Sequence, residues 1–285
     1  LSGGSLIIPT LADIQSASSI KDYITRYQVT LFTASPSYLK SLGDVTKNNR
    51  IRMVITGGEA CSSELKRIWD GKLVNEYGPT ETTVTPIRCI NLSQYKEVNR
   101  IGSPISNVKA YVLSPNRKLV PIGVPGELYI SGACLARGYL NKDDLTSERF
   151  VTNPFTTEED IQNGYTHMYK TGDLVRWLPD GALEFIGRND TQVKVRGYRI
   201  ELSEIEHTLT QLSEIQQAIV TLQNDNDNPF LSAYIVPTSK AVFVAGEVQS
   251  DQEALLITNI KSYLNNKLPS YMLPSTYTIL PSIPL

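Results

Sequence analysis

Leu73-Val74-Asn75-Glu76-Tyr77-Gly78-Pro79-Thr80-Glu81-Thr82-Thr83 runs from a short apolar strand into a glycine-proline turn. The turn places an aromatic face, backbone amides, hydroxyls and a carboxylate within a few residues. Such a set can stack a purine, hold a phosphate and ligate Mg²⁺, whereas any one member alone reads as an ordinary turn residue.

Upstream, Ile51 to Thr56 is another apolar strand and ends at Gly57-Gly58, with a helix through Leu65, Ile68 and Trp69 between the two. Before it, Val29 to Thr33 reads as a buried strand, and Ile20, Tyr23, Ile24 and Tyr27 recur at helical spacing. Pro36 can open a helix over Ser37 to Leu42, because proline in the first turn loses no needed hydrogen bond. Strands alternating with helices predict an α/β region with a mostly parallel sheet. Ligands of such sheets lie beyond the carboxyl ends of the strands, where Thr33, Gly57 and Glu76 fall.

From Pro104 to Gly187 the pattern becomes short strands and turns: Ala110–Leu113, Gly126–Ile130, Leu174–Trp177 and Leu183–Ile186. This predicts a distorted antiparallel sheet or small barrel. The last third reads as a small α+β unit. Ser203 and Glu206 have capping-box spacing ahead of an apolar face of Ile205, Leu209 and Leu212. Two strands, Ala218–Leu222 and Leu231–Val236, flank Asn224-Asp225-Asn226-Asp227-Asn228-Pro229, expected to be a solvated loop. A longer helix carries Leu256, Ile260, Leu264 and Lys267. The expected division is 1–189 (1–103 α/β, 104–189 barrel-like) and 190–285.

The 285 residues are 41% hydrophobic and 20% charged, with a net charge of −2 and interspersed signs. That composition suits a globular protein and argues against a nucleic-acid or anionic-membrane surface. No apolar run is long enough to span a bilayer. Cys61, Cys89 and Cys134 lack metal or redox spacing and read as reduced cytosolic thiols, hence a cytoplasmic protein. His167 and His207 have neither metal-ligand spacing nor a nucleophile partner.

Two further motifs follow the opening one: Tyr169-Lys170-Thr171-Gly172-Asp173 and Gly187-Arg188-Asn189-Asp190-Thr191-Gln192-Val193-Lys194-Val195-Arg196-Gly197-Tyr198-Arg199. Together the three resemble the adenylate-forming enzymes, most closely the amino-acid adenylation domains of nonribosomal peptide synthetases. The resemblance implies activation of an amino acid with ATP and Mg²⁺ to an aminoacyl adenylate. The acyl group then passes to the phosphopantetheine thiol of a carrier domain.

By the same resemblance, Tyr77 stacks on adenine, Asn75 bonds its amino group, and Gly58 and Glu59 lie in the loop lining the purine. Thr80 contacts phosphate, Glu81 ligates Mg²⁺, and Asp173 accepts both ribose hydroxyls. Arg188 contacts the nucleotide, Lys194 the ribose region, and Asp190 is the hinge of the smaller domain. Phe185 is either near the adenine or a core strand residue. Arg196 and Arg199 are either nucleotide contacts or a solvated strand face. Gly126–Gly132, Ala136-Arg137-Gly138-Tyr139 and Leu268–Pro274 also match and are expected to be structural.

Thr33, Ile55, Gly57, Glu76, Val84 and Thr85 correspond to the side-chain pocket, with Gly57 leaving room. A carboxylate in a closed pocket is costly unless paired. Glu76 therefore either favours a basic or hydroxylated substrate side chain or points past the pocket to solvent. The phosphate loop, the aspartate for the substrate amine and a catalytic lysine do not occur here. The sequence accordingly reads as an excerpt whose fragment alone is inactive. D-alanine–carrier ligases and acyl-CoA synthetases share part of the motif set, and a non-catalytic nucleotide-binding or carrier-docking module is the reading from a different class.

Overall fold

In a computed structural model, residues 3–43, 50–195, 197–225, 228–238, 243–244, 247–248 and 250–283 are described. They form two units, Leu1–Asp190 and Thr191–Leu285. Of the sequence readings, those touching Leu1, Ser2, Arg196, Asn226, Asp227, Pro284 and Leu285 lie outside the described residues.

The first unit begins with α1 (Leu11–Gln15) and α2 (Ala17–Arg26). Thr10 caps α1 and Asp13 answers it in a capping box. Leu6-Ile7-Ile8-Pro9 forms no strand and leads into α1, with Leu6 and Ile8 exposed. Then follow β1 (Leu31–Thr33), α3 (Pro36–Leu42), β2 (Met53–Gly57), α4 (Ser63–Ile68) and β3 (Leu73–Tyr77). Ser35 caps α3 with Pro36 in its first turn, and Ser62 caps α4. β1, β2 and β3 pair in parallel. Their helices bury Ile20, Ile24, Leu39, Leu65 and Trp69 against Val54 and Leu73.

Parallel pairing stops there. β4 (Ile87–Cys89) and β5 (Arg100–Pro104) add on antiparallel, because the link from β3 to β4 holds only a tight turn and no crossover helix. The sheet continues through β6 (Val108–Leu113), β7 (Gly126–Gly132), α5 (Asp143–Arg149), β8 (Phe150–Thr152), α6 (Glu158–Gln162), β9 (His167–Trp177) and β10 (Leu183–Arg188). The order β1-β2-β3-β4-β5-β10-β9-β7-β6, with β8 on β9, makes one ten-stranded sheet. The barrel-like region is thus continuous with the α/β region through the β5–β10 pair. Its core joins Tyr77 and Ile87 to Val112, Leu128, Ile130, Val175 and Leu183.

β9 is eleven residues long because Thr171-Gly172-Asp173, which reads locally as a turn, is a bulge inside the strand. Gly172 has φ +75°, the left-handed backbone that such a bulge uses.

The second unit comprises β11 (Gln192–Val195), β12 (Tyr198–Glu201), α7 (Leu202–Thr210), β13 (Ile215–Asp225), β14 (Asn228–Pro237), β15 (Phe243–Val244), β16 (Glu247–Val248), α8 (Ser250–Lys267) and β17 (Thr276–Ile279). Leu209, Ile260, Leu264, Ala233 and Ile235 are fully buried at its centre. Ser203 and Glu206 form no capping box. Both lie inside α7, whose N-cap position is Glu201, and the Glu206 carboxylate accepts the N–H of Val220 instead. The polar Asn224–Pro229 run is likewise not a loop throughout, since the β13–β14 ladder extends to Asp225↔Asn228. Gln223, Asn224 and Asp225 are exposed, so the ladder carries polar side chains without a desolvation penalty. No helix among the described residues is long and apolar enough to cross a membrane.

Candidate active site

The register of three parallel strands gathers the expected pocket residues at one sheet end. Thr33 lies opposite Ile55, and Gly57 opposite Glu76. A Cβ on Gly57 would sit 2.2 Å from the Glu76 carbonyl oxygen, so glycine is required there by the backbone rather than by a ligand. Glu76 has its partners within the chain. Arg88 Nη2 lies 2.7 Å from Oε1, and the Thr85 hydroxyl donates to Oε2 at 2.8 Å. The cation that balances this half-buried carboxylate is therefore Arg88, on the neighbouring β4. Val84 is exposed.

Gly58 has φ +83° at the end of β2, and the Glu59 carboxylate accepts the Ser37 N–H at 2.9 Å and its hydroxyl at 3.0 Å. Glu59 thereby ties the loop after β2 to the first turn of α3. Asn75 is buried, with its amide donating to the Arg100 carbonyl at 2.9 Å and its carbonyl facing the Cys61 thiol at 3.7 Å. Burial pushes that thiol up to about 12, which keeps it unreactive.

The Tyr-Gly-Pro turn enters a single 3₁₀ turn, Thr80–Thr82. Beyond it Thr83 (φ +52°) and Val84 (φ +67°) hold left-handed backbone, which is uncommon for non-glycine residues and strained for a β-branched one. Gly78 makes this possible, because a Cβ there would meet the Val84 carbonyl oxygen at 2.3 Å and Pro86 Cδ at 2.2 Å. The turn is gripped from the segment after β7: Ala136 N–H donates to the Glu81 carbonyl at 2.8 Å, and the Thr83 hydroxyl to the Cys134 carbonyl at 2.7 Å.

Asp173, Arg188 and Tyr77 meet across the sheet. Asp173 and Arg188 are register partners on β9 and β10, and Arg188 Nη1 donates to Asp173 Oδ1 at 2.5 Å. The Tyr77 hydroxyl donates to the other carboxylate oxygen, and its ring stands 6.5 Å from that of Phe185. Burial, then the adjoining Asp173 charge, pushes the Tyr77 phenol well above its ordinary range, so it remains a donor. Arg188 also forks onto Asp190, Nε to Oδ1 at 2.7 Å and Nη2 to Oδ2 at 2.6 Å, with a further bond to the Thr171 carbonyl at 3.2 Å. Asp173 is 2% exposed, a buried carboxylate held by two donors, of which Arg188 is also its ion-pair partner.

A model of the AMP-binding enzyme family matches residues 1–140. A linear gramicidin synthase of Brevibacillus parabrevis is 43% identical over 288 residues, spanning all of this chain and 5% of that protein. The chain belongs to the AMP-binding enzyme family. Within it, this AMP-binding chain groups with the adenylation domains of nonribosomal peptide synthetases. Bacitracin synthase 3 of Bacillus licheniformis is 40% identical over 99% of this chain and 4% of its own length. Tyrocidine synthase 1 of B. parabrevis is 39% identical over all of this chain and 25% of its own length. The AMP-binding chain thus spans a small fraction of these relatives.

Solved structures share the fold. An amide bond synthetase from Marinactinospora thermotolerans superposes with a TM-score of 0.77 at 18% identity, covering 95% of this chain and 52% of that one. A four-domain nonribosomal peptide synthetase bound to AMP and glycine superposes at 0.57 with 33% identity, covering 98% of this chain and 20% of that one.

Lys194 lies on β11 of the second unit, opposite Arg199. Arg199 donates to Gln192 at 2.5 Å, so its guanidinium is engaged along the ribbon. Sequence reasoning passed over Arg88, Thr171, Glu127 and Tyr139. Glu127 accepts the Gly172 N–H at 3.1 Å, and Thr171 Oγ1 accepts the Asp173 N–H at 3.0 Å, so both shape the bulge that presents Asp173. Glu127 and Tyr139 lie in Gly-Glu-Leu-Tyr and Ala-Arg-Gly-Tyr, expected to be structural only, and Thr171 lies in Tyr-Lys-Thr-Gly-Asp, whereas Arg88 belongs to no motif.

Proposed function

We propose that the chain supplies the nucleotide-binding part of an amino-acid adenylating ligase. The enzyme condenses an amino acid with ATP to an aminoacyl adenylate, releasing pyrophosphate, and passes the acyl group to the phosphopantetheine thiol of a carrier domain. The observation that carries this reading is the joining of Tyr77, Asp173 and Arg188 in one buried, hydrogen-bonded set. Three separate motifs converge there, Tyr77 lying 96 residues before Asp173 and Arg188 15 after it, and a structural turn residue has no need of such convergence.

In this reading Tyr77 and Phe185 provide an aromatic wall for the purine. A carboxylate has about four lone-pair sites, and the two protein donors on Asp173 leave capacity for ribose hydroxyls. Because Asp173 is 2% exposed, ribose hydroxyls would reach it through a shift of Arg188 or Tyr77. A displaced Arg188 carries its fixed fork of donors toward nucleotide oxygens. Thr80 contacts phosphate from the 3₁₀ turn, and Gly58 and Glu59 line the purine by backbone. Asn75 serves the purine only by giving up or sharing its bond to Arg100.

Among the described residues no cluster of three or more His, Cys, Asp or Glu could hold a metal by itself. A single carboxylate such as Glu81 fits Mg²⁺, which is usually held by one or two carboxylates together with substrate phosphates. When bound, Mg²⁺ neutralises phosphate charge as pyrophosphate departs. Lys194 at the ribose region and Asp190 as a hinge rest on the resemblance. So do the division into a core part (residues 1–189) and a small mobile part (190–285), and the pocket roles of Thr33, Ile55, Gly57, Val84 and Thr85. Glu76 sets no demand for a basic substrate, since Arg88 balances it.

Amino-acid-dependent ATP–pyrophosphate exchange on the full-length protein tests the proposal, across the proteinogenic amino acids, ornithine and D-alanine. Exchange with one L-amino acid is expected. Exchange with D-alanine alone moves the protein to the ligase branch, and ATP binding without exchange on any substrate favours a binding module.

A further inference from the structure

Ala136-Arg137-Gly138-Tyr139, expected to serve only turn and barrel geometry, delivers a phenol to the carboxylate of Glu81. The Tyr139 hydroxyl donates to Glu81 Oε1 at 2.7 Å. Tyr139 is itself held through its backbone, its ring and its hydroxyl. Gly138 has φ +141°, and a Cβ there would lie 2.5 Å from Thr146 Cγ2, so the chain passes tight against α5. Thr146 Oγ1 accepts the Tyr139 N–H at 2.9 Å. The ring packs edge-on to Phe150 at 5.7 Å, and its hydroxyl lies 3.5 Å from that of the fully buried Tyr169. Glu81 is fixed from the same segment through its backbone carbonyl, which accepts the Ala136 N–H.

We propose that Tyr139 is a positioning residue that holds the Glu81 carboxylate in one orientation for a divalent cation. This rests on the reading of Glu81 as the Mg²⁺ ligand. A free glutamate side chain loses rotamer freedom when it is immobilised. A glutamate already bonded to a locked phenol has lost that freedom before the cation arrives. Hydrogen-bond partners of metal ligands typically change metal affinity by about 10–100-fold.

The test titrates Mn²⁺ into the full-length protein saturated with α,β-methylene-ATP, following free Mn²⁺ by electron paramagnetic resonance. Tyr139→Phe, which keeps the ring and removes the hydroxyl, is expected to weaken Mn²⁺ binding about tenfold or more. AMP binding without metal stays within about twofold in that variant, and the melting temperature is unchanged. Glu81→Gln is expected to weaken Mn²⁺ further. Tyr139→Phe titrating like wild type while Glu81→Gln loses the ion overturns the positioning role and leaves the ligand reading standing. Glu81→Gln titrating like wild type overturns both. Lost metal-free AMP binding or a lower melting temperature in Tyr139→Phe would make Tyr139 a packing residue only. Should Tyr139→Phe not fold, Thr146→Val, which loosens the Tyr139 backbone, carries the same titration.

Discussion

Tyr77, Asp173 and Arg188 act as one charged, buried unit, and their substitutions are therefore not additive. Asp173→Asn and Tyr77→Phe each remove one end of the same charge-assisted bond. A double-mutant cycle is expected to give a coupling of about 1–2 kcal/mol in denaturant unfolding. A coupling near zero would mean that the two groups do not interact in solution. Asp160 shows a separate residue-scale effect. Lys109 lies 2.6 Å away, and together with the Thr157 backbone and hydroxyl it holds the Asp160 carboxyl at about 2. A carboxyl depressed in the folded state adds stability above its unfolded value, and that stability is lost as pH falls through the folded one. Asp160→Asn should therefore melt lower than wild type at pH 6, with the gap closing between about pH 4 and pH 2. Melting curves at pH 6 and pH 2.5 check this. A gap that widened in acid would reverse the sign.

At the scale of elements, the local signals that held were those a short stretch can satisfy alone. Pro36 lies in the first turn of α3, as its residue type predicts, and the structure adds Ser35 as the cap of α3 and Ser62 as the cap of α4. The signals that failed needed a partner from elsewhere. Ser203 and Glu206 have capping spacing, yet β12 runs straight into α7 and carries its start back to Leu202. Glu206 accepts the Val220 N–H at 2.9 Å, a bond between α7 and β13 that no spacing rule could find. Glu206→Ala should consequently cost about 1 kcal/mol, and Ser203→Ala less than about 0.5, in unfolding of the second unit. The opposite ranking would restore the capping box. Thr171-Gly172-Asp173 failed in the same way: a turn by composition, it is a bulge because β7 and β10 pair on either side of it.

At the scale of the molecule, each unit has its own buried core, and the second centres on Leu209, Ile260, Leu264, Ala233 and Ile235. Residues 191–285 expressed alone should unfold cooperatively, with the Ile260 and Leu264 amides among the slowest to exchange. Non-cooperative melting with fast exchange there would mean that this core is insufficient by itself. The motifs were legible in sequence because they are short runs at or near strand ends, with residue types set by local chemistry. So were the alternation of helices and strands and the change of pattern after Pro104. Only the tertiary structure decided which of those side chains already have partners. Arg88 meets Glu76, Tyr139 meets Glu81 and Arg188 meets Asp173 across pairs 12, 58 and 15 residues apart in sequence. A hydrogen bond depends on a separation of about 3 Å in space, and separation along the chain carries no information about that until the sheet has set its register.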